Sequence, residues 1–245
     1  MSKLIKLSVA DIVYHLKLSC QIPNFLEAIA TARIITEAAA QAGIEVSIEE
    51  LQQAADGLRF TYQLFKAEDT WNWLNKHYLS LDDFEDMAKT NLLSAKLANH
   101  LFADKIEPFF YAHKIDYAGA VTYEVILDDE DLALELFYAL KEGEISFQEI
   151  ARQYIQSPEI RRAGGYQGIR YRRDFRPEIA AAVFAATPPQ VLKPIITPQG
   201  VHIIAVEEII TPTLDEQRRL QITRELFSVW LAEQINSVEV VAELN

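Results

Sequence analysis

Three of the chain's eight glycines fall within six residues, Ala163-Gly164-Gly165-Tyr166-Gln167-Gly168. Such a segment interrupts regular structure and marks a loop. Two further segments follow it in order. Phe175-Arg176-Pro177-Glu178-Ile179 puts a proline at the first turn of a helix, with Ile179, Val183 and Phe184 inside. Gln199-Gly200-Val201-His202-Ile203-Ile204 is a glycine turn running into a β-branched strand. Loop, helix, turn and strand thus follow one another in a fixed order between residues 163 and 204.

The surroundings complete a small mixed sheet. Ala120 to Leu127 is short, β-branched and aromatic and stops at Asp128-Asp129, which predicts a strand. An amphipathic helix follows over about 130–141 and ends at Gly143. Ser146-Phe147-Gln148-Glu149 caps another that ends near Tyr154. Strands over 193–196 and 201–206 are joined by a Pro-Gln-Gly turn. The middle of the chain thus reads as β-α-α-β-α-β-β, within an α+β fold.

The flanks read as helices. Phe25, Ile29, Ala32 and Ile35 share a face of a helix closed by Gly43, and Ser47-Ile48-Glu49-Glu50 is a capping box. Ser80-Leu81-Asp82-Asp83 opens a further long helix with acidic residues at its positive end. Trp71 and Trp73 between these helices are expected to pack at helix contacts. A last helix over about 214–235 carries Leu220, Phe227, Trp230 and Leu231, an apolar stripe that needs a partner and is expected to fold back on the first helices. The division expected is a helical domain over 1–117, a sheet domain over 118–210 and a C-terminal helix over 211–245.

Charge narrows the function classes. A formal net charge of -13 over 245 residues argues against a broad nucleic-acid footprint, which needs a basic surface. Cys20 is the only cysteine, so no internal disulfide is possible, and it is read as a small buried hydrophobe. Lys3, Lys6, Asp11, His15 and Lys17 break up the first eighteen residues, and no later run is long enough to span a membrane. The cytoplasm is the expected compartment, without membrane insertion. His77, His100 and His113 lack metal-ligand spacing, and neither a phosphate-binding loop nor a nucleophile elbow is present, so no cofactor and no metal are expected.

From Val121 to Glu208 the chain resembles the parvulin family of peptidyl-prolyl cis-trans isomerases. Phe147 to Tyr154 is similar to the family's second helix, Gly164-Gly165 with Gly168 to its glycine turn, Pro177 to Phe184 to the next helix, and Gly200-Val201-His202-Ile203-Ile204 to the closing strand. The helices before and after this third of the chain are similar to SurA-like chaperones, in a layout that resembles a cyanobacterial branch. The resemblance implies isomerisation of X-Pro bonds in polypeptide clients, with folding-chaperone function. A non-catalytic peptide-binding chaperone or adaptor that keeps the pocket is the alternative, and a purely structural interaction protein a third.

The resemblance also implies a site. Phe175, Ile179 and Phe184 stand where the family's proline cup is made, His202 at its second-strand histidine, and Thr197 at the hydroxyl supporting it. Ile179 and Phe184 are equally readable as ordinary core, and His202 as a satisfied structural group. The family's first-strand histidine is replaced by Glu124, or by Tyr123 if the register slips by one. Ser157 stands near the position of the Cys or Asp before the glycine turn, and Tyr166-Gln167 replaces its Asp-Leu. The expected set is therefore His202, Ser157, Glu124 and Tyr123 for catalysis, with Phe175, Ile179, Phe184, Thr197 and Gln167 binding substrate.

Charge is uneven along this region, independently of any resemblance. Nine acidic residues lie between Thr122 and Ile150 against Lys141 alone, and six arginines between Arg161 and Arg176. The arginines read either as a basic rim guiding an acidic peptide or as partners of the acidic stretch across the fold.

Overall fold

The computed structural model describes residues 5–243; Lys3 lies outside them. In chain order the helices and strands are α1 (Val9–Leu18), α2 (Ile22–Gln41), α3 (Ile48–Thr61), α4 (Ala67–His77), α5 (Leu81–Phe102), α6 (Ile106–Ala112), β1 (Gly119–Leu127), α7 (Glu130–Glu142), α8 (Phe147–Tyr154), α9 (Pro158–Arg162), β2 (Tyr166–Tyr171), α10 (Pro177–Phe184), β3 (Gln190–Val191), β4 (Ile195–Thr197), β5 (Gly200–Ile210) and α11 (Glu216–Asn236). They form two compact units, one running to Ile106 and resuming at Glu216, the other Glu107–Asp215.

In both units local capping chemistry sets helix starts. Ser47, Ser80 and Ser146 each accept from the backbone N–H three residues on, while the acid there accepts from the serine's own N–H. Glu50 also pairs with Lys96 Nζ at 2.7 Å, fastening the start of α3 to α5. The core of the helical unit is a seam of Ile35 and Ala39 from α2 with Leu93, Leu97 and Phe102 from α5, into which α11 lays Phe227. Phe227 stacks on Trp230 at 5.4 Å.

Four side chains lie elsewhere than their sequence suggests. Phe25 and Ile29 are half exposed, because α2 turns Ala30, Ile35 and Ala39 inward instead. Trp73 packs against Tyr62 and Phe84, but Trp71, two positions along the same helix, points away and is 55% exposed. Cys20 is exposed, in a left-handed turn (φ 56°) joining α1 to α2. The α1 helix buries none of its residues. Among the described residues no helix is long and apolar enough to cross a membrane.

The second unit is an antiparallel sheet in the order β2-β1-β5-β3, with β4 also pairing β5. Alternation along β1 and β5 sorts their side chains onto two faces. Val125, Leu127, Val201 and Ile203 pack against α7 and α8. Ala120, Ile204 and Val206 pack against α10 through Phe175, Ile179, Ala180 and Val183. Both faces are covered, which is why β5 reads as a nearly continuous apolar run. His202 and Thr122 lie on the α10 side of the sheet, since the register pairs Ile126 with His202, Glu124 with Ile204 and Thr122 with Val206.

Two substitutions probe this packing. Gly200 has φ +130°, and a Cβ there would stand 2.6 Å from the Leu127 carbonyl oxygen. Gly200→Ala is expected to lower stability by about 1–3 kcal/mol, the range for a strained backbone, in a urea melt. Thr122 is 1% exposed and its Oγ1 has no hydrogen-bond partner among the described residues. Thr122→Val removes that buried orphan without changing shape, so it is expected to raise stability by about 1 kcal/mol; an equal loss would show that the hydroxyl is used.

Candidate functional site

The glycine turn and the sheet together place one polar line beneath α10. Gly165, at φ +86°, accepts the Glu124 N–H at 2.9 Å, and a Cβ there would crowd the Glu124 carbonyl oxygen at 3.1 Å. The turn thus holds β1 at the residue that matters. From β1, the Glu124 carboxylate reaches His202 on β5, Oε1 to Nδ1 2.7 Å. On its other side His202 meets Thr197 of β4, Nε2 to Oγ1 2.8 Å.

The protons follow from the partners. An ionised carboxylate only accepts, so Nδ1 of His202 carries a hydrogen and donates to Glu124. When the ring is neutral, Nε2 accepts from the Thr197 hydroxyl, which also lies 3.3 Å from the Gly200 carbonyl oxygen and accepts the Gln199 N–H at 3.1 Å. Burial of Glu124 pushes its carboxyl up. That push is outweighed by the hydrogen bond from His202 and the charge of Arg170, which leave it below the usual carboxylate range.

Arg170 of β2 completes the line. Its Nη1 donates to Glu124 Oε2 at 3.0 Å, and Nη2 to the Asp174 carbonyl at 3.2 Å. The guanidinium carbon lies 4.1 Å from the centroid of the Phe175 ring. Phe175 meets Phe184 edge to face at 6.0 Å, and Arg172 lies 5.2 Å over Phe184. Residues from β1, β2, β4, β5 and α10 therefore converge on one place.

The expected residues divide accordingly. Glu124, His202, Thr197, Phe175, Ile179 and Phe184 lie on this face of the sheet. Three others do not join the line. Tyr123 alternates to the face opposite His202, where it packs on Phe147 and Tyr166 and is no partner for that ring; burial, then a hydrogen bond with Glu207, raises its pKa. Ser157 is exposed at the start of α9 and caps nothing there. Gln167 folds back on the Gly165 carbonyl at 3.3 Å and closes its own turn.

His202 itself is 2% exposed with both ring nitrogens engaged. Its two partners, Glu124 and Thr197, fill both of its polar directions. Phe175 and Ile179 are likewise buried, 7% and 3% exposed, so the expected cup is shut by its own packing and by Arg170. Arg170 is the residue that the sequence showed only as one rim cation among six. Among the described residues no group of three or more His, Cys, Asp or Glu is placed to hold a metal ion.

Residues 127–208 match the PPIC-type peptidyl-prolyl isomerase domain, or rotamase. The chain carries a parvulin domain. His202, Thr197, Phe175 and the glycine turn all lie within the matched residues, whereas Glu124 precedes them. The fold extends beyond that domain: the peptidyl-prolyl isomerase PrsA from Bacillus cereus matches at a TM-score of 0.50 and 17% identity, over 97% of this chain and 91% of that one. PrsA from Bacillus anthracis matches at 0.48 and 20%, over 87% and 94%. A structure from Campylobacter jejuni described as one of two SurA-like chaperones matches at 0.37 and 18%, over 81% and 88%. No curated protein sequence matches the chain.

The carboxylate gives the line a pH dependence. The pKa of Glu124 is lower folded than unfolded, so its contribution to stability is full above the ordinary carboxylate range, near 4.5, and is lost as pH falls through the depressed value. Glu124→Gln is expected to cost about 1.5–3 kcal/mol at pH 7, the range for a hydrogen bond to a charged group. The difference between wild type and variant should narrow in urea melts taken at progressively lower pH below 4.5. A gap that stays constant to acid would show that Glu124 is not held ionised by its partners.

Proposed function

We propose that this protein accelerates cis-trans isomerisation of X-Pro bonds in polypeptide clients and serves as a folding chaperone, its helical unit attached to the isomerase domain. The observation that carries the proposal is the parvulin domain itself, with the polar line from Glu124 through His202 to Thr197 set under Phe175 and α10. Rotation about the X-Pro bond breaks amide resonance against a barrier of roughly 18–20 kcal/mol. It needs neither a covalent step nor a metal. It needs an apolar seat for the proline ring and polar groups that favour the twisted amide over the planar one.

In this arrangement Phe175, Ile179 and Phe184 supply the seat. The buried line works at one remove: Glu124 and Thr197 fix the His202 ring, and Glu124 fixes the Arg170 guanidinium at the rim. His202 is thus a positioning residue. Its loss leaves the Glu124 carboxylate without a partner it needs in a largely dry place. The compartment we propose is the cytoplasm, supported by a single cysteine that asks for no disulfide.

A second reading, a peptide-binding chaperone without turnover, is favoured by one observation. The polar groups of His202 are consumed inside the protein and the cup is shut, so little chemistry faces outward. Isomerisation of an Ala-Pro tetrapeptide decides between the two. The isomerase reading expects acceleration over buffer in proportion to protein, falling on the order of tenfold to a hundredfold in His202→Ala. Circular dichroism of the variant checks that it is folded. No acceleration by wild type, together with binding of the same peptide that Phe175→Leu weakens, would establish the binder instead.

A further inference from the structure

Within the seven residues Arg170–Arg176 lie four arginines, and two of them cover the two aromatic walls of the cup. The Arg170 guanidinium lies 4.1 Å from the Phe175 ring centroid, and that of Arg172 5.2 Å from the Phe184 centroid. The Phe175 ring is otherwise enclosed by core, the residue being 7% exposed. A proline ring stacking on Phe175 needs the ring face that Arg170 occupies. Both cannot be there at once.

Arg170 is held in place by charge. Glu124 Oε2 accepts from it at 3.0 Å, and the Asp174 carbonyl accepts at 3.2 Å, while the side chain stays 26% exposed toward solvent. An incoming proline must displace the guanidinium from the ring, and the cation then needs an anion at the rim. Two of its five N–H donors are used by these partners, so others remain to meet one. An acidic side chain beside the proline meets that need with the planar, bidentate geometry that guanidinium and carboxylate share. A neutral neighbour does not, and a lysine adds repulsion from Arg170 and Arg172.

We propose that Arg170 is the gate of the proline cup and its specificity-determining residue, selecting clients with aspartate or glutamate directly before proline. The inference rests on the isomerase reading above and extends it to the substrate class. It also divides the two readings of the arginine cluster: Arg170 pairs with the acidic stretch through Glu124 at rest, and with an acidic client in the open state.

The test uses the full chain and three tetrapeptides that differ only in having Glu, Ala or Lys before proline. For wild type at low salt, kcat/KM is expected to fall in the order Glu, Ala, Lys, with Glu about threefold to tenfold above Ala, an effect the size of a partly exposed ion pair. Salt at about 0.5 M should compress the order, since rim charges are screened. Arg170→Met keeps an apolar cover of similar length without the charge. It is expected to abolish the order and to raise kcat/KM for the Ala peptide through a lower KM. The salt series on wild type decides the matter alone if this variant does not fold. Equal rates on all three wild-type peptides, or a uniform loss in Arg170→Met with the order intact, overturns the gate while the isomerase reading stands. No acceleration of any peptide by either protein overturns the isomerase reading, and the gate with it.

Discussion

Pairing of β1 with β5 is the constraint on which the site depends. It brings Glu124 and His202, 78 residues apart in sequence, to within 2.7 Å. The two strands lie side by side in the sheet and cover their outer faces with α7 and α8 on one side and α10 on the other. A shift of one residue in this register would turn Tyr123 toward His202 and move Val125 and Leu127 out of their core. The apolar core therefore enforces the polar line: the residues that bury best also fix which acid meets the histidine.

The line solves a problem that burial creates. An ionised carboxylate largely removed from water is costly unless its oxygens are met by donors. Glu124 has both oxygens met, one by imidazole and one by guanidinium. Its partners differ in kind. His202 is closed in, whereas Arg170 keeps a side open to solvent. The same carboxylate thus ties a buried ring of the sheet to a partly exposed guanidinium at the rim.

How much of this was legible in the sequence depended on how local the cause was. Caps at Ser47, Ser80 and Ser146 involve residues three apart, so the pattern alone gave the helix starts. Ser8 and Asp11 carry that same signal for α1, in a stretch whose apolar residues have no core to face. Alternation in β5 likewise put His202 on the face opposite Val201 and Ile203. The first-strand position facing it was legible only to within one residue, Glu124 or else Tyr123, because β1 carries an irregularity between Val121 and Thr122 and sequence alone does not fix the register across it. Arg170 stayed hidden for a related reason: six arginines look alike until the glycine turn aims one of them at a ring. Burial of Phe175 and Ile179 was the hardest to read, since a cup wall and a core residue have the same composition.

The path of the chain between the two units has a consequence for synthesis. The helical unit is made from two separated stretches, and Phe227 of α11 fills a seam between α2 and α5 that has waited since those helices were made. The parvulin unit, by contrast, is one uninterrupted stretch, Glu107–Asp215. During elongation from the N-terminus every residue of the parvulin unit emerges before α11 does. The seam between α2 and α5 therefore stays unfilled throughout the synthesis of the parvulin unit and closes only when α11 follows it.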